Sequence, residues 1–367
     1  MNEKRSESTR RQFLKGKSAV DAIGNLGDKI HQELPATEAA GEGTGRTYLV
    51  QVSRRAMACE FAIYLNAGEH DAGTEHAVEA LDLVENIEDQ ISVYRNRSEV
   101  SQLNFVAAKR PVKVDARLFS LLQMARLLYD ETNGAFDVTA GPLIKVWGFY
   151  RREGKLPSDE ALQEALACVG SAHVKLADAT STVEFNREGV EVNFGGIGKG
   201  FALDQCKSLL RSCGVSDFMI HGGNSSVLAS GRRAGASEGQ GWKVGIRHPS
   251  RPERRIAEIN LQDRSLGTSG TGTQHFYHQG KKYGHIIDPR SGQPVDGILS
   301  TTVVATSAAM ADALSTAFYV MGIESTRQYC ETHPDVGALI IRTGSKAGVV
   351  EIEAIGLDDN SWSRVDE

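Results

Sequence analysis

Cysteine is scarce in this sequence. The five residues, Cys59, Cys168, Cys206, Cys213 and Cys330, are odd in number, and they form neither a Cys-x-x-Cys pair nor a His/Cys run at zinc-finger spacing. That argues against a disulfide-stapled scaffold and against a zinc-finger-type module. Long hydrophobic runs are also missing: no stretch approaches the roughly 20 apolar residues needed to cross a bilayer as a helix. An excess of positive charge is missing as well, since 41 Lys and Arg stand against 47 Asp and Glu, a net charge of −6. This near balance excludes a basic coat for nucleic acid, though not a local basic site. The abundant residue is glycine, with 38 among 367 residues and no collagen-like period. At about 7% in average proteins, glycine is over-represented here. An excess without a repeat points to many tight backbone positions, as in sites built from main-chain N–H groups.

Residues 1–46 differ in texture from the rest. Ser8-Thr9-Arg10-Arg11-Gln12-Phe13-Leu14-Lys15 resembles a twin-arginine export signal, but the stretch that follows carries Asp21, Asp28 and Lys29 and makes a poor apolar region. Periplasmic or membrane-associated placement follows if the signal works, and a cytoplasmic protein if it does not. Residues 34–46, with Pro35, Gly41, Gly43 and Gly45, read as a linker. The globular part is expected over residues 47–360.

Residues 47–67 predict two strands around a short turn. Val78, Leu81, Val84, Ile87 and Ile91 recur at helical spacing, and residues 118–129 predict a second helix. A third follows Ser158, a natural N-cap. Short strands are expected at 173–176, 182–185 and 190–194. A helix then starts directly from a glycine-rich turn at 195–200, and a strand ends on His221-Gly222-Gly223-Asn224. Further strands are expected near 242–247 and 255–261, a hairpin around Gln279-Gly280, and a strand at 299–306. A strongly apolar helix begins at Ser307 and two last strands follow it. With no internal repeat and no regular βαβ period, the class is α+β: mixed sheets with flanking helices.

Five stretches could carry chemistry. Asn193-Phe194-Gly195-Gly196-Ile197-Gly198-Lys199-Gly200 joins a strand to a helix N-terminus, where amides and Lys199 could hold an anion; a plain tight turn reads equally well. It has neither the Walker spacing nor the dinucleotide fingerprint. Gly284-His285-Ile286-Ile287-Asp288-Pro289-Arg290 sets a histidine near a turn; on a strand His285 and Ile287 would share one face. An Asp-Pro turn with a structural histidine is the other reading. Asp312 and Thr316 are four apart and stack on one face of an apolar helix. A buried carboxylate must be paired, neutral or metal-bound, and two oxygens on one face suit Mg²⁺ completed by phosphate and backbone oxygens. A carboxylate bonding its own helix amides is the alternative. Leu266-Gly267-Thr268-Ser269-Gly270-Thr271-Gly272-Thr273 reads as a flexible polar lining without a nucleophile signature. Phe136-Asp137-Val138-Thr139-Ala140-Gly141-Pro142 reads as a short strand that Gly141-Pro142 ends.

Taken in order, SVYRNRSEVSQLN, GAFDVTAGPL, FGGIGKGFALD, IHGGN, GTSG, YGHIIDPRSGQPV and ATSAAMADALSTAF resemble the ApbE family of FAD:protein FMN transferases. The resemblance covers roughly residues 50–350. It implies a single, two-lobed catalytic domain that uses Mg²⁺ to cleave FAD, moves FMN onto a Thr or Ser hydroxyl of an acceptor flavoprotein, and releases AMP. Acceptors in this family belong to membrane redox complexes or extracytoplasmic flavoproteins. By motif, Asp312, Thr316 and the carbonyl of Gly198 would hold the metal. Lys199, Gly195 and Gly196 would line the pyrophosphate, with Gly222 and Gly223 beside the phosphates. Asp204 would hold part of FAD and Met57 would touch the flavin. His285 would be the base, with Asp288 shaping its loop and Thr268, Ser269 and Gly270 lining the pocket.

Three positions depart from the family pattern. Its Met-Gly-Thr reads Met57-Ala58-Cys59, the acid before the glycine turn is Asn193, and a further acid is Asn224. Other readings are an FAD pyrophosphatase that uses water as acceptor, a non-catalytic FAD-binding protein and a domain with no ligand. Residues 296–302 (DGILSTT) faintly resemble the acceptor motif of such enzymes, but they fall where the family continues into a strand.

Overall fold

A computed structural model describes residues 47–270, 274–344, 346 and 349–365. The twin-arginine segment and linker (1–46), and Thr271-Gly272-Thr273 of the polar lining, lie outside the described residues. Among the described residues no helix is long and apolar enough to cross a membrane.

Strand β1 (Leu49–Ala56) and β2 (Cys59–Asn66) form the first hairpin. Their two-residue turn puts Met57 at φ 49° and Ala58 at φ 59°. That is the left-handed pair a tight hairpin needs, taken here by residues with side chains and therefore strained. Helix α1 (Gly73–Ile91) follows, burying Ala77, Leu81, Val84 and Ile87 as the apolar spacing requires. Helix α2 (Glu99–Val106) has Ser98 as N-cap, accepting from Ser101 N. Next come β3 (Val112–Lys113), α3 (Ala116–Glu131), α4 (Gly141–Val146) and α5 (Asp159–Leu166), the last capped by Ser158 as expected. β4 (Val174–Ala177) and β5 (Thr182–Phe185) join β3 in a small sheet. Helix α6 (Gly198–Ser212) leaves the glycine-rich turn. The chain continues through β6 (Phe218–Gly222), β7 (Ser226–Ser230), β8 (Trp242–His248), β9 (Arg251–Leu261) and β10 (Ser265–Gly270). It ends with β11 (His275–His278), β12 (Lys281–Gly284), β13 (Ile298–Ala305), α7 (Ala308–Thr332), β14 (Gly337–Thr343), β15 (Val350–Ile355) and β16 (Trp362–Arg364).

The main sheet has eight strands in the order β1-β2-β6-β7-β10-β13-β14-β15. Each adjacent pair in it is antiparallel. Both faces are covered. Val303 and Leu228 point into a core shared with α1, α6 and α7, while Val304, Val227 and Ala229 point into a second core closed by β8 and β9. That is why β7 and most of β13 are buried without alternation. A third cluster, Leu143, Trp147, Phe149, Leu162 and Ile287, forms a separate small lobe. The α+β class agrees with expectation.

Three local expectations are corrected. Residues 190–194 are extended but form only a parallel bridge, Glu191 to Ala140. The Asn104 side chain does a neighbouring strand's work there, donating to Val192 O at 2.9 Å and accepting from Val192 N at 2.8 Å. Residues 136–139 form a turn instead of a strand, because the Asp137 carboxylate accepts from Thr139 N and Oγ1 at 2.8 and 2.7 Å. Gly141-Pro142 opens α4, proline being tolerated in a first helical turn, where an N–H is not needed.

Candidate active site

One cavity of about 450 Å³ is lined by Lys199 and Asp312 together with His285 and Tyr94. Of the residues singled out in the sequence, Gly195, Gly196, Lys199, Thr268, Ser269, Gly270, His285, Asp312 and Thr316 all line it. Residues as far apart as 195 and 316 meet because α6 and α7 start beside each other under β10.

Asp312 is 6% exposed. Its Oδ2 accepts from Gly200 N at 2.7 Å and its Oδ1 from Ser226 Oγ at 2.6 Å. Burial raises its pKa; the Lys199 charge and these two hydrogen bonds pull the other way. One turn along, Thr316 Oγ1 lies 3.0 Å from Ser269 Oγ, which also meets Ser315 Oγ at 2.8 Å. Each Asp312 oxygen keeps a lone pair after its hydrogen bond. The set is thus a buried carboxylate in need of a positive partner, next to neutral hydroxyl oxygens on the cavity wall. These hard oxygen donors fit Mg²⁺, with too few protein ligands to close its shell without substrate oxygens.

The glycine turn behaves differently from an amide cradle. The amides of Gly195, Ile197, Gly198 and Gly200 are engaged within the protein, with Asn193 Oδ1, Phe194 O, Phe194 O and Asp312 respectively. Glycine is needed here for closeness: a Cβ on Gly200 would sit 2.0 Å from Ala308 O. The positive charge beside this turn on the cavity wall is Lys199. Asn193, at a departure from the family pattern, acts as the turn's organiser.

His285 is half-buried on the cavity wall, with Nδ1 3.1 Å from Gln274 O. A carbonyl can only accept, so Nδ1 carries the proton and Nε2 keeps its lone pair. Burial lowers the pKa of His285; the Gln274 hydrogen bond opposes this and the Lys199 charge adds to it. The strand alternation expected for 285–288 does not hold, since only Ile287 makes a bridge, to Pro294. His285, Ile286 and Ile287 all reach the cavity.

Six expected site residues lie outside the cavity wall. Asp204 is engaged within the protein. Its carboxylate accepts from Ser307 Oγ at 2.8 Å and from Ala308 N and Ala309 N at 2.9 Å each, so it caps α7. Asp288 shapes its loop as expected, accepting from Arg290 N, Nε and Nη2 at 2.9 Å. Met57 sits in the strained hairpin turn. Gly198 packs against Ile91, Gly222 against Phe61, and Gly223 against Cys59. Gly198 begins α6 and is buried, so the structure does not place its carbonyl on the cavity wall.

Sequence reasoning passed over the walls Tyr94, Phe149, Ser225, Gln274 and Ser315, and read Asp137 only as part of a strand end. Asp137 had a readable signal, an Asp two residues before a Thr, which is the pattern of an Asx turn. The backbone carbonyl of Gln274 had none.

The family model described as "ApbE family" matches residues 52–340. The chain belongs to the ApbE family. A Vibrio cholerae protein named FAD:protein FMN transferase is 32% identical over 265 residues, 71% of this chain and 78% of its own. A Treponema pallidum protein of the same name is 30% identical over 332 residues, covering 85% and 91%. Among solved structures, the ApbE protein of Thermotoga maritima superposes with a TM-score of 0.73 at 28% identity, covering 83% of this chain and 96% of that one. The Vibrio cholerae flavin transferase ApbE gives 0.72 at 28%, covering 84% and 98%.

Proposed function

We infer that this chain is an enzyme, a FAD:protein FMN transferase, that moves FMN from FAD to a Thr or Ser hydroxyl of an acceptor flavoprotein and releases AMP. The observation that carries this reading is the joining, in one cavity, of the Asp312–Thr316–Ser269 oxygen cluster and Lys199 with a proton-accepting His285. In the reaction the acceptor oxygen bonds to the FMN phosphorus while the bridging P–O bond breaks, so AMP carries away the electron pair. The hydroxyl proton goes to His285 Nε2. Burial favours neutral His285, the form able to accept it. Lys199 opposes the charge that grows on the phosphoryl oxygens. Asp312 and Thr316 would hold Mg²⁺, which, when bound, supplies further charge neutralisation at the pyrophosphate.

Aromatic walls at Tyr94 and Phe149 suit a flat ring system, and Tyr94 is itself stacked on Tyr150 with centroids 4.9 Å apart. The acceptor is a flavoprotein such as a subunit of a membrane redox complex. It is not this chain's own DGILSTT: Ser300, Thr301 and Thr302 lie in β13 and are 8%, 0% and 1% exposed.

The assay is AMP release from FAD with Mg²⁺, run with and without a Thr-bearing acceptor flavoprotein, together with in-gel fluorescence for covalent flavin. We expect both signals from the wild type and neither from Asp312→Ala. AMP release without covalent flavin would replace transfer by hydrolysis, and full activity of Asp312→Ala would remove Asp312 from the mechanism.

A further inference from the structure

At the far end of α6 from the cavity, three metal-ligating side chains of different chemistry converge. His76 and Glu79 are one turn apart on α1, and Cys213 is the C-cap of α6. One ligand atom from each of the three lies within 4.8 Å of the other two. His76 Nδ1 is already 3.2 Å from Glu79 Oε2. The two helices are held together beside Glu79 and two turns back along α6, where Cys206 Sγ donates to Ala80 O at 3.2 Å, so the donors come from a fixed frame. Their surroundings favour a cation: Cys213 sits where the carbonyl end of α6 carries partial negative charge.

We propose that His76, Glu79 and Cys213 form a second metal site, specific for a borderline-soft divalent cation of the Zn²⁺ class. A thiolate with an imidazole and a carboxylate is a nitrogen, oxygen and sulfur set that zinc takes in four-coordinate geometry, and its fourth position here faces solvent. Mg²⁺ rejects such a set because it demands hard oxygen donors in an octahedron. The two sites are thus separated by chemistry and by distance. Helix α6 has 15 residues, and at 1.5 Å per residue that is about 20 Å between its ends. Bound zinc would clamp α1 to the helix that carries Lys199 into the cavity.

The test uses the full chain stripped of metal by a chelator. Titration with Co²⁺ should produce thiolate-to-cobalt charge-transfer absorption that saturates at one equivalent, and Zn²⁺ should erase it. Cys213→Ser should abolish that band. Cys213→Ser and His76→Ala should each weaken Zn²⁺ binding, measured against a chromophoric chelator, by about tenfold or more, the scale on which even outer-shell changes act. Asp312→Ala should bind Zn²⁺ as the wild type does, which separates this site from the oxygen cluster. Zinc should raise the melting temperature of the wild type and leave that of Cys213→Ser unchanged. AMP release by Cys213→Ser should match the wild type. A cobalt spectrum without the charge-transfer band, or equal Zn²⁺ affinity in the wild type and Cys213→Ser, overturns the proposal.

Discussion

His285 and Asp204 show how far a side chain's role depends on what its atoms already touch. The Nδ1 of His285 is tied to Gln274 O, which leaves Nε2 for chemistry. His285→Gln should lower kcat for FMN transfer by about 10²- to 10⁴-fold, the usual worth of a general base, while FAD binding by fluorescence quenching stays near wild type. The pH profile follows from the lowered pKa. The folded protein resists protonation of His285, so the acid limb of the rate should fall below pH 6.5, the ordinary histidine value. The same depression means that the stability associated with neutral His285 is present above 6.5. It is lost as pH falls toward the folded pKa, because the unfolded chain takes up the proton first. A rate limb centred above 6.5 would contradict this assignment. Asp204 is the opposite case. With its carboxylate engaged by the first amides of α7, Asp204→Ala should cost about 1–2 kcal/mol of stability, as a lost cap does, and leave the KM for FAD almost unchanged. Denaturant melts beside FAD titrations separate these two effects.

Among the elements, β10 and α7 explain why small residues cluster in this sequence. Residues 266–273 read as a flexible lining because Gly, Ser and Thr are poor strand signals, yet Ser265–Gly270 is β10. Residues 265–270 form a strand between β7 and β13 because α7 crosses so closely that a Cβ on Gly267 would meet Ala311 C and O at 2.4 Å. Hydrophobic periodicity cannot reveal a strand whose residues are chosen for thinness. Gly200 marks the same constraint where α6 meets α7. Gly200→Ala and Gly267→Ala should each destabilise the fold by about 1–3 kcal/mol or more, the cost of overpacking against backbone that cannot move aside. Thermal melts check this; an unchanged melting temperature would mean that the helices are not so tightly apposed. Residues 190–194 were legible as extended but not as unpaired with a strand, since the partner is the side chain of Asn104, 88 positions away. The first part of α7 was legible from its apolar run, which ends at Gly322, where φ 80° and ψ −179° break the helix before a second helical segment follows.

On the scale of the whole molecule, the cavity wall is assembled from segments between Tyr94 and Thr316, and the described body begins at Thr47. A chain started at Thr47 should therefore keep Mg²⁺-dependent AMP release at the full-length rate and melt at the same temperature. A lost activity would give residues 1–46 a part in catalysis. The sequence by itself determined the α+β class, most helices and hairpins, and the Asp312–Thr316 pairing, because these rest on local periodicity and on one helical turn. Its ordered motifs carried the family as well. Only the tertiary structure decided that Asp204 caps a helix, that the glycine turn spends most of its amides internally, and that a backbone carbonyl sets the tautomer of His285. Those outcomes depend on which partner fills each hydrogen bond, and partners 11 to 112 residues apart meet only after the sheet and its helices have packed.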